Sequence, residues 1–436
     1  MPAAPGAATV PSHDVGLARW RERIRTGLWF VPLVITTAAA IGAAVTIAID
    51  HRVTDRAPLA FDGDPGSATE VLSTIAASTL TFTALVFSIT IVALQLASSQ
   101  FSPRVLRLFL RDRGSQVALG VFVATFVFAF IALQSVREGD ATRDPFVPGY
   151  TITVSFLLVV LTLATFVYYV DHVAHAVRAV TIIESVAGET RAAIEDNIPM
   201  SDPVMVTGNP PGGTPTAVIA NPNPGVVVGF DEDDLVALAR RHDCVLRLVR
   251  RVGDYVPTGA PLVEVYGGDG AVPADGVLDH VGLRTERTMQ QDVAFGFRQL
   301  VDVAEKALSP AINDPTTTVQ AIDRLHDLLR RLAARPWPTG RVADDDGRLR
   351  FVFPVAGWDG LVLLSFTEIR LFGAGSMQVA RRLRAAIDDL IRCVPDDRRG
   401  VLEQELARLE ADVERLYRQD DDRRLALRLD QQGLGS

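Results

Sequence analysis

Val71-Leu-Ser-Thr-Ile-Ala-Ala-Ser-Thr-Leu-Thr-Phe-Thr-Ala-Leu-Val-Phe-Ser-Ile-Thr-Ile-Val-Ala-Leu-Gln-Leu-Ala-Ser-Ser-Gln-Phe-Ser-Pro103 carries no charged residue from end to end. About 20 apolar residues in a helix cross the hydrocarbon core of a bilayer, so this run predicts a membrane span. Its polar residues are not scattered. Thr74, Thr81, Ser88, Gln95 and Ser102 recur at every seventh position, and Ser78 and Ser99 fall on the same stripe. A strict seven-residue period keeps one helix face turned toward a supercoil axis. The opposite face is apolar, with Leu80, Phe87, Ile91 and Leu94. Two explanations are open. Small polar residues let membrane helices approach and hydrogen-bond. Alternatively, several copies of this span surround an axis and form a polar pore wall, with Thr81, Ser88 and Gln95 at the narrow part.

Working outward, residues 26–49, 114–136 and 145–170 are also uncharged. Four spans are therefore expected, at about 28–49, 71–97, 115–136 and 149–170. The chain has 436 residues, 48 % of them apolar and 22 % charged, and its mean hydropathy is +0.22, which excludes a wholly soluble protein. The first run, preceded by Arg19, Arg21, Arg23 and Arg25, is too long for a signal-peptide core and is read as a retained helix. Residues 204–230 are uncharged too, but their Pro, Gly and Asn content rules out a spanning helix.

Arg104, Arg107, Arg111 and Arg113 sit between the second and third spans, whereas segments 50–70 and 137–150 are mostly acidic. The positive-inside rule then puts the N-terminus and everything after the fourth span in the cytoplasm. Arg104, Arg107 and Arg111 would form a basic mouth for a path lined by the second span. No charged residue lies inside a span, which disfavours a proton relay or ion-coupled carrier. Net charge is −9, so nucleic acid is not expected as a partner. Cys244 and Cys393 are too few for a disulfide framework or zinc site. At the end of the fourth span Asp171 and His175 lie one turn apart, but without a third ligand they read as an ordinary i,i+4 contact.

The rest divides by composition. Residues 1–18 are an Ala/Pro/Gly-rich tail, and 19–170 the transmembrane domain. A connecting helix takes 171–202, continuing from the fourth span. A β-rich module takes 203–283, a mostly helical domain 284–418, and a charged tail 419–436. Short strands are expected at 217–219, 226–228, 245–249, 262–265 and 277–281, with a helix at 231–241 capped by Asp231. Two later strands are expected near 349–355 and 361–366 and a helix at 376–394. In the last helix, Leu402, Leu406, Leu409, Val413 and Leu416 form a coiled-coil-like seam, suited either to docking on its own domain or to self-association.

Residues 251–265 (RVGDYVPTGAPLVEV) resemble half of a biotinyl/lipoyl-type barrel-sandwich, with 222–228 and 273–278 similar to its partner strands. Cofactor-carrying members need a lysine on a hairpin turn. This segment has none, so no prosthetic group is expected. Residues 284–318 contain Gln291-Asp292, Phe295-Gly296, Arg298-Gln299-Leu300 and the run ALSPAINDPTT. Together with LQLASSQFSPR at 94–104, Glu368-Ile-Arg370 and Phe372-Gly373, these resemble a bacterial family of predicted membrane proteins classed only as a domain of unknown function. The resemblance implies a multi-pass protein of the bacterial inner membrane and no activity.

Segment 308–318 reads physically as a helix–turn–helix corner. Pro310 stops the first helix, Asn313 tolerates a turn conformation, Asp314 caps the second helix and Pro315 suits its first position. The functional alternative is a pocket in which Gln291, Asp292, Arg298, Asn313, Asp314 and Thr316 bind a small polar molecule or ion. No Walker A loop, GxGxxG, GxSxG, HExxH or CxxC is present, and no catalytic residue or metal ligand is assigned. The fold class expected is a four-helix all-α transmembrane domain plus a cytoplasmic α+β domain with a small barrel-sandwich-like β module. The expected function is a homo-oligomeric channel in contact with the lipid bilayer. A membrane-anchored ligand sensor or scaffold is the alternative.

Overall fold

A computed structural model describes residues 29–52, 61–100, 112–139, 144–198, 200, 207–268 and 272–430. The described chain falls into two compact units that divide between Ile182 and Ile183. Ser102, Arg104, Arg107 and Arg111 lie outside the described residues.

The first unit holds four helices long and apolar enough to cross a membrane: α1 (Phe30–Asp50), α2 (Pro65–Gln100), α3 (Arg113–Ser135) and α4 (Gly149–Ala176). Helix α3 packs against the other three. Gly120 makes the α1–α3 approach close, since a Cβ there would sit 2.7 Å from Ile35 Cδ1. The polar groups inside the bundle are satisfied locally. Thr125 and Thr162 hydroxyls meet at 2.9 Å between α3 and α4, and Thr90 meets the Tyr169 hydroxyl at 2.5 Å between α2 and α4. Asp50, at the end of α1, accepts from Tyr150 N, Thr151 N and Thr151 Oγ1, so it caps α4 from another helix. Beyond α4 the chain does not run on as one helix. It breaks at Val177–Arg178 before α5 (Ala179–Asn197).

In the second unit, strands β1 (Ala217–Ala220), β2 (Gly225–Phe230), β3 (Cys244–Leu248), β4 (Tyr255–Val256), β5 (Pro261–Gly267) and β6 (Val281–Arg284) alternate with α6 (Glu232–Arg241) and α7 (Ala274–Leu278). Asp231 caps α6, its carboxylate accepting from Asp234 N. Later come α8 (Val293–Leu308), α9 (Pro315–Ala333), β7 (Arg341–Ala343), β8 (Leu349–Val352), α10 (Trp358–Gly373), α11 (Met377–Cys393), α12 (Asp396–Leu416) and α13 (Asp420–Ala426).

The strands form a five-stranded sheet, β1-β5-β3-β8-β7, and a three-stranded sheet, β4-β2-β6, over one core that includes Val227, Leu246, Val263, Val281 and Phe351. The module is a sandwich of two sheets, and no barrel closes. Strand β8, from beyond residue 284, pairs parallel with β3, so the helical part contributes to the sheet. Two strand expectations fail. Residues 274–278 form helix α7, started by Pro273. Residues 361–366 belong to α10, where Leu361, Val362, Ser365, Phe366, Ile369 and Arg370 are buried with helical spacing. A short apolar run has no decisive period, and tertiary packing chose the helix.

Helix α12 buries Leu402, Leu409 and Val413 against its own unit, with Leu416 left exposed. These three residues of the seam dock on their own domain. Polar locks accompany it. Arg370 on α10 bonds Glu405 and Asp412 on α12, and the Glu405 side chain is 0 % exposed. Removing one partner of such a buried pair strands the other charge. Arg370→Leu should cost about 3–5 kcal/mol in unfolding free energy. Adding Glu405→Leu should recover much of that in the same denaturation assay. At Gly296 a Cβ would lie 2.0 Å from Thr190 Oγ1, so the Thr190 side chain of α5 packs directly on the α8 backbone there. Gly296→Ala should lower stability by about 1–3 kcal/mol, with partial recovery on adding Thr190→Ala, both read by thermal unfolding.

Candidate functional site

Two places in the fold hold the residues singled out from the sequence. The first is α2. Its inward face is Leu72, Ile75, Ala76, Thr79, Thr83, Val86 and Ala97, all buried. Thr79 and Thr83 return their hydroxyls to carbonyls one turn back, at Ile75 and Thr79. Thr74, Ser78, Thr81, Ser88 and Gln95 are exposed, on the side that the four helices of this chain leave uncovered. Thr81 also bonds back, to Ala77 O at 2.9 Å. Ala77 and Ala84 share the exposed face, and Leu80, Phe87 and Ile91, expected on the opposite face, are instead exposed beside the stripe with Leu85, because the face that packs is that of Ile75, Thr79, Thr83 and Val86. From Thr74 to Gln95 the stripe rises about 32 Å, close to the roughly 30 Å hydrocarbon thickness. The polar residues that serve packing inside the chain are thus a different set, Thr79, Thr83 and Thr90.

At one end of the bundle Asp112 caps α3, accepting from Ser115 N at 2.8 Å, and takes a further bond from His172 Nε2 at 2.8 Å. Burial pushes the Asp112 carboxyl up. The bonds from Ser115 and His172 outweigh that and hold it below the usual range. Asp171 and His175 keep only their i,i+4 contact, and both are exposed.

The second place is the start of α8 and the α8–α9 corner. Gln291 and Asp292 are joined to the β module. The Gln291 amide pairs with the backbone of Phe230, donating to its carbonyl at 3.0 Å and accepting from its N–H at 2.9 Å. Asp292 caps α8 through Phe295 N and accepts from Arg287 Nε at 2.9 Å. Gly253, at φ +95°, leaves room for that pair, for its Cβ would fall 2.4 Å from Asp292 Oδ2. Burial raises the Asp292 carboxyl against the opposing pull of Arg287.

Arg298, two turns into α8, binds Asp302 at 2.5 Å, Glu305 at 2.7 Å and Glu368 of α10. Burial raises Glu305, and Glu368 beside it raises it further. At the corner Asn313 is left-handed at φ +49°, and Asp314 caps α9, accepting from Thr317 N at 3.1 Å and Thr317 Oγ1 at 2.5 Å. Thr318 reaches across to Ala304 O at 3.2 Å. Asn313 and Thr316 are exposed. Among the described residues no hydrogen bond or ion pair joins Arg298 to Asn313, Asp314 or Thr316. The six residues are therefore three separate structural devices: a clamp, an ion-pair cluster and a capped corner.

Neither the Arg298–Glu368 pair nor the His326–Asp389 pair between α9 and α11 follows from spacing along the chain, because each meets across helices. Asp302 was within reach, four residues from Arg298 on one helix face. Among the described residues Asp231, Asp234 and His280 are the one group whose ligand atoms lie within 4.8 Å of one another. Asp231 already spends an oxygen on capping α6, and the positive end of that helix works against a cation there.

Comparison with known proteins agrees with this architecture. An uncharacterized protein of Mycobacterium bovis and one of Mycobacterium tuberculosis are each 33 % identical over 381 residues, which covers 85 % of this chain and 72 % of the relative. No solved structure matches the chain. The family model described as "Predicted membrane protein (DUF2254)" matches residues 25–389. The chain is a membrane protein and belongs to that family.

Proposed function

We propose that this protein is a homo-oligomeric channel of a bacterial inner membrane, in which one α2 helix from each copy lines a polar path. The observation that carries this reading is the exposure of Thr74, Thr81, Ser88 and Gln95 along α2. A primary amide facing hydrocarbon without a partner is costly, on the order of several kcal/mol. A second copy of α2, or water on an axis between copies, supplies that partner. Ala77, Ser78 and Ala84 on the same face permit close approach of the copies. The lining is neutral, so selectivity falls to dehydration and to the basic mouth of Arg104, Arg107 and Arg111. The arginine distribution favours a cytoplasmic N-terminus and a cytoplasmic second unit that serves assembly or gating.

The sensor reading has less support. Gln291, Asp292, Arg298 and Asp314 already spend their hydrogen-bonding groups inside the fold.

The test is ion flux through the purified protein in liposomes, beside a Ser88→Leu, Gln95→Leu double variant, with mass in mild detergent measured in parallel. The expected outcome is a multi-copy assembly whose flux the double variant loses or strongly alters. A monomer, or a parent protein tight to cations and anions under voltage, overturns the channel.

A further inference from the structure

His326 lies on α9, facing α11. Its side chain is 17 % exposed, and both ring nitrogens have partners. Nε2 is 2.8 Å from Asp389 Oδ2, and Nδ1 is 3.1 Å from Arg382 Nη2. A guanidinium only donates, so Nδ1 has to be the acceptor. The ring proton is therefore on Nε2 and points to Asp389. This arrangement uses a neutral imidazole to connect a cation and an anion of the same neighbouring helix.

We propose that His326 is a pH-sensitive latch between α9 and α11, closed when the imidazole is neutral and loosened when a second proton arrives. That proton has only Nδ1 to occupy. Binding there abolishes the Arg382 hydrogen bond and turns an N–H⁺ toward a guanidinium. The other groups around the ring do not offset this. Asp389 favours the imidazolium, but it also binds Arg330 of α9, and Arg392 lies 3.8 Å from its second oxygen. Arg382 is held in place by Asp323 of α9 at 2.5 Å, so it does not swing away freely. Cys393 of α11 also lies near Arg330 and Asp389 and is uncharged near neutral pH, because burial raises its thiol.

Burial first, then Arg382 and Arg330, lower the His326 value below the ordinary 6.5, with Asp389 opposing. Between that lowered value and 6.5 the unfolded chain binds more protons than the folded one. Stability is intact above the unfolded value and falls as pH drops through it toward the folded value. The helices it joins bury Leu325, Leu329, Leu383 and Ile387, so loosening the latch opens an apolar contact.

The test is hydrogen–deuterium exchange of the full chain in detergent at about pH 7.5 and about pH 5.5, bracketing the ordinary histidine range, with rates corrected for intrinsic exchange. In the parent, protection of α9 and α11 should fall several-fold at the lower pH, while α2 serves as the internal reference. His326→Gln should abolish the difference. Arg382→Gln keeps the histidine but removes the opposing charge, and should shrink the response, a change that lost packing alone does not produce. Equal protection of the parent at both pH values overturns the latch, as does a response that persists undiminished in His326→Gln.

Discussion

Hydrocarbon offers no hydrogen bonds, and the membrane unit is organised around that constraint. Among the described residues, hydroxyls that face inward are closed off by short hydrogen bonds within or between the helices. Thr79 and Thr83 bond back to their own helix, Thr125 pairs with Thr162, and Thr90 pairs with Tyr169. Asp50 is placed where the free N–H groups of α4 need an acceptor. After these arrangements a second set of polar residues remains on the outer face of α2. The same constraint that explains the first set demands a partner for Gln95 in particular, and no hydrogen bond to its amide is found among the described residues.

The second unit meets a related demand in a different way. Arginines there carry much of the long-range connectivity. Arg298 joins α8 to α10, Arg370 joins α10 to α12, and Arg335 reaches Ile198 O and Glu195 on α5. A planar guanidinium with five donors serves several acceptors at once, which suits a site where helices from distant parts of the chain converge. Gln291 does the equivalent for the sheet, since its amide pairs with the backbone of β2 at Phe230. These contacts give Gln291, Asp292 and Arg298 partners within the fold itself.

Much of the architecture could be read from the chain. The four spans and the capped corner rest on local rules: uncharged length, a proline that ends a helix, and an Asp-Pro pair that starts one. The errors fell where local signals were weak. The apolar run within Trp358–Gly373 is compatible with either secondary structure until its neighbours are known. The pattern predicts one helix running from the fourth span into the 171–202 connector, and the break at Val177–Arg178 has no proline or glycine to announce it.

Membrane insertion, the position of the spans and the seven-residue polar period of one of them are all legible in the order of residues. Hydrophobic length and helical period are properties of a single segment, so no partner is needed to read them. Packing settled which way that period faces, because burial depends on which side of α2 meets α3 and α4. It also decided that Gln291, Asp292, Arg298 and Asp314 belong to separate devices, and that His326 stands between Arg382 and Asp389. The Gln291–Phe230, Arg298–Glu368 and His326–Asp389 pairings join residues tens of positions apart, and one-dimensional spacing holds no record of them.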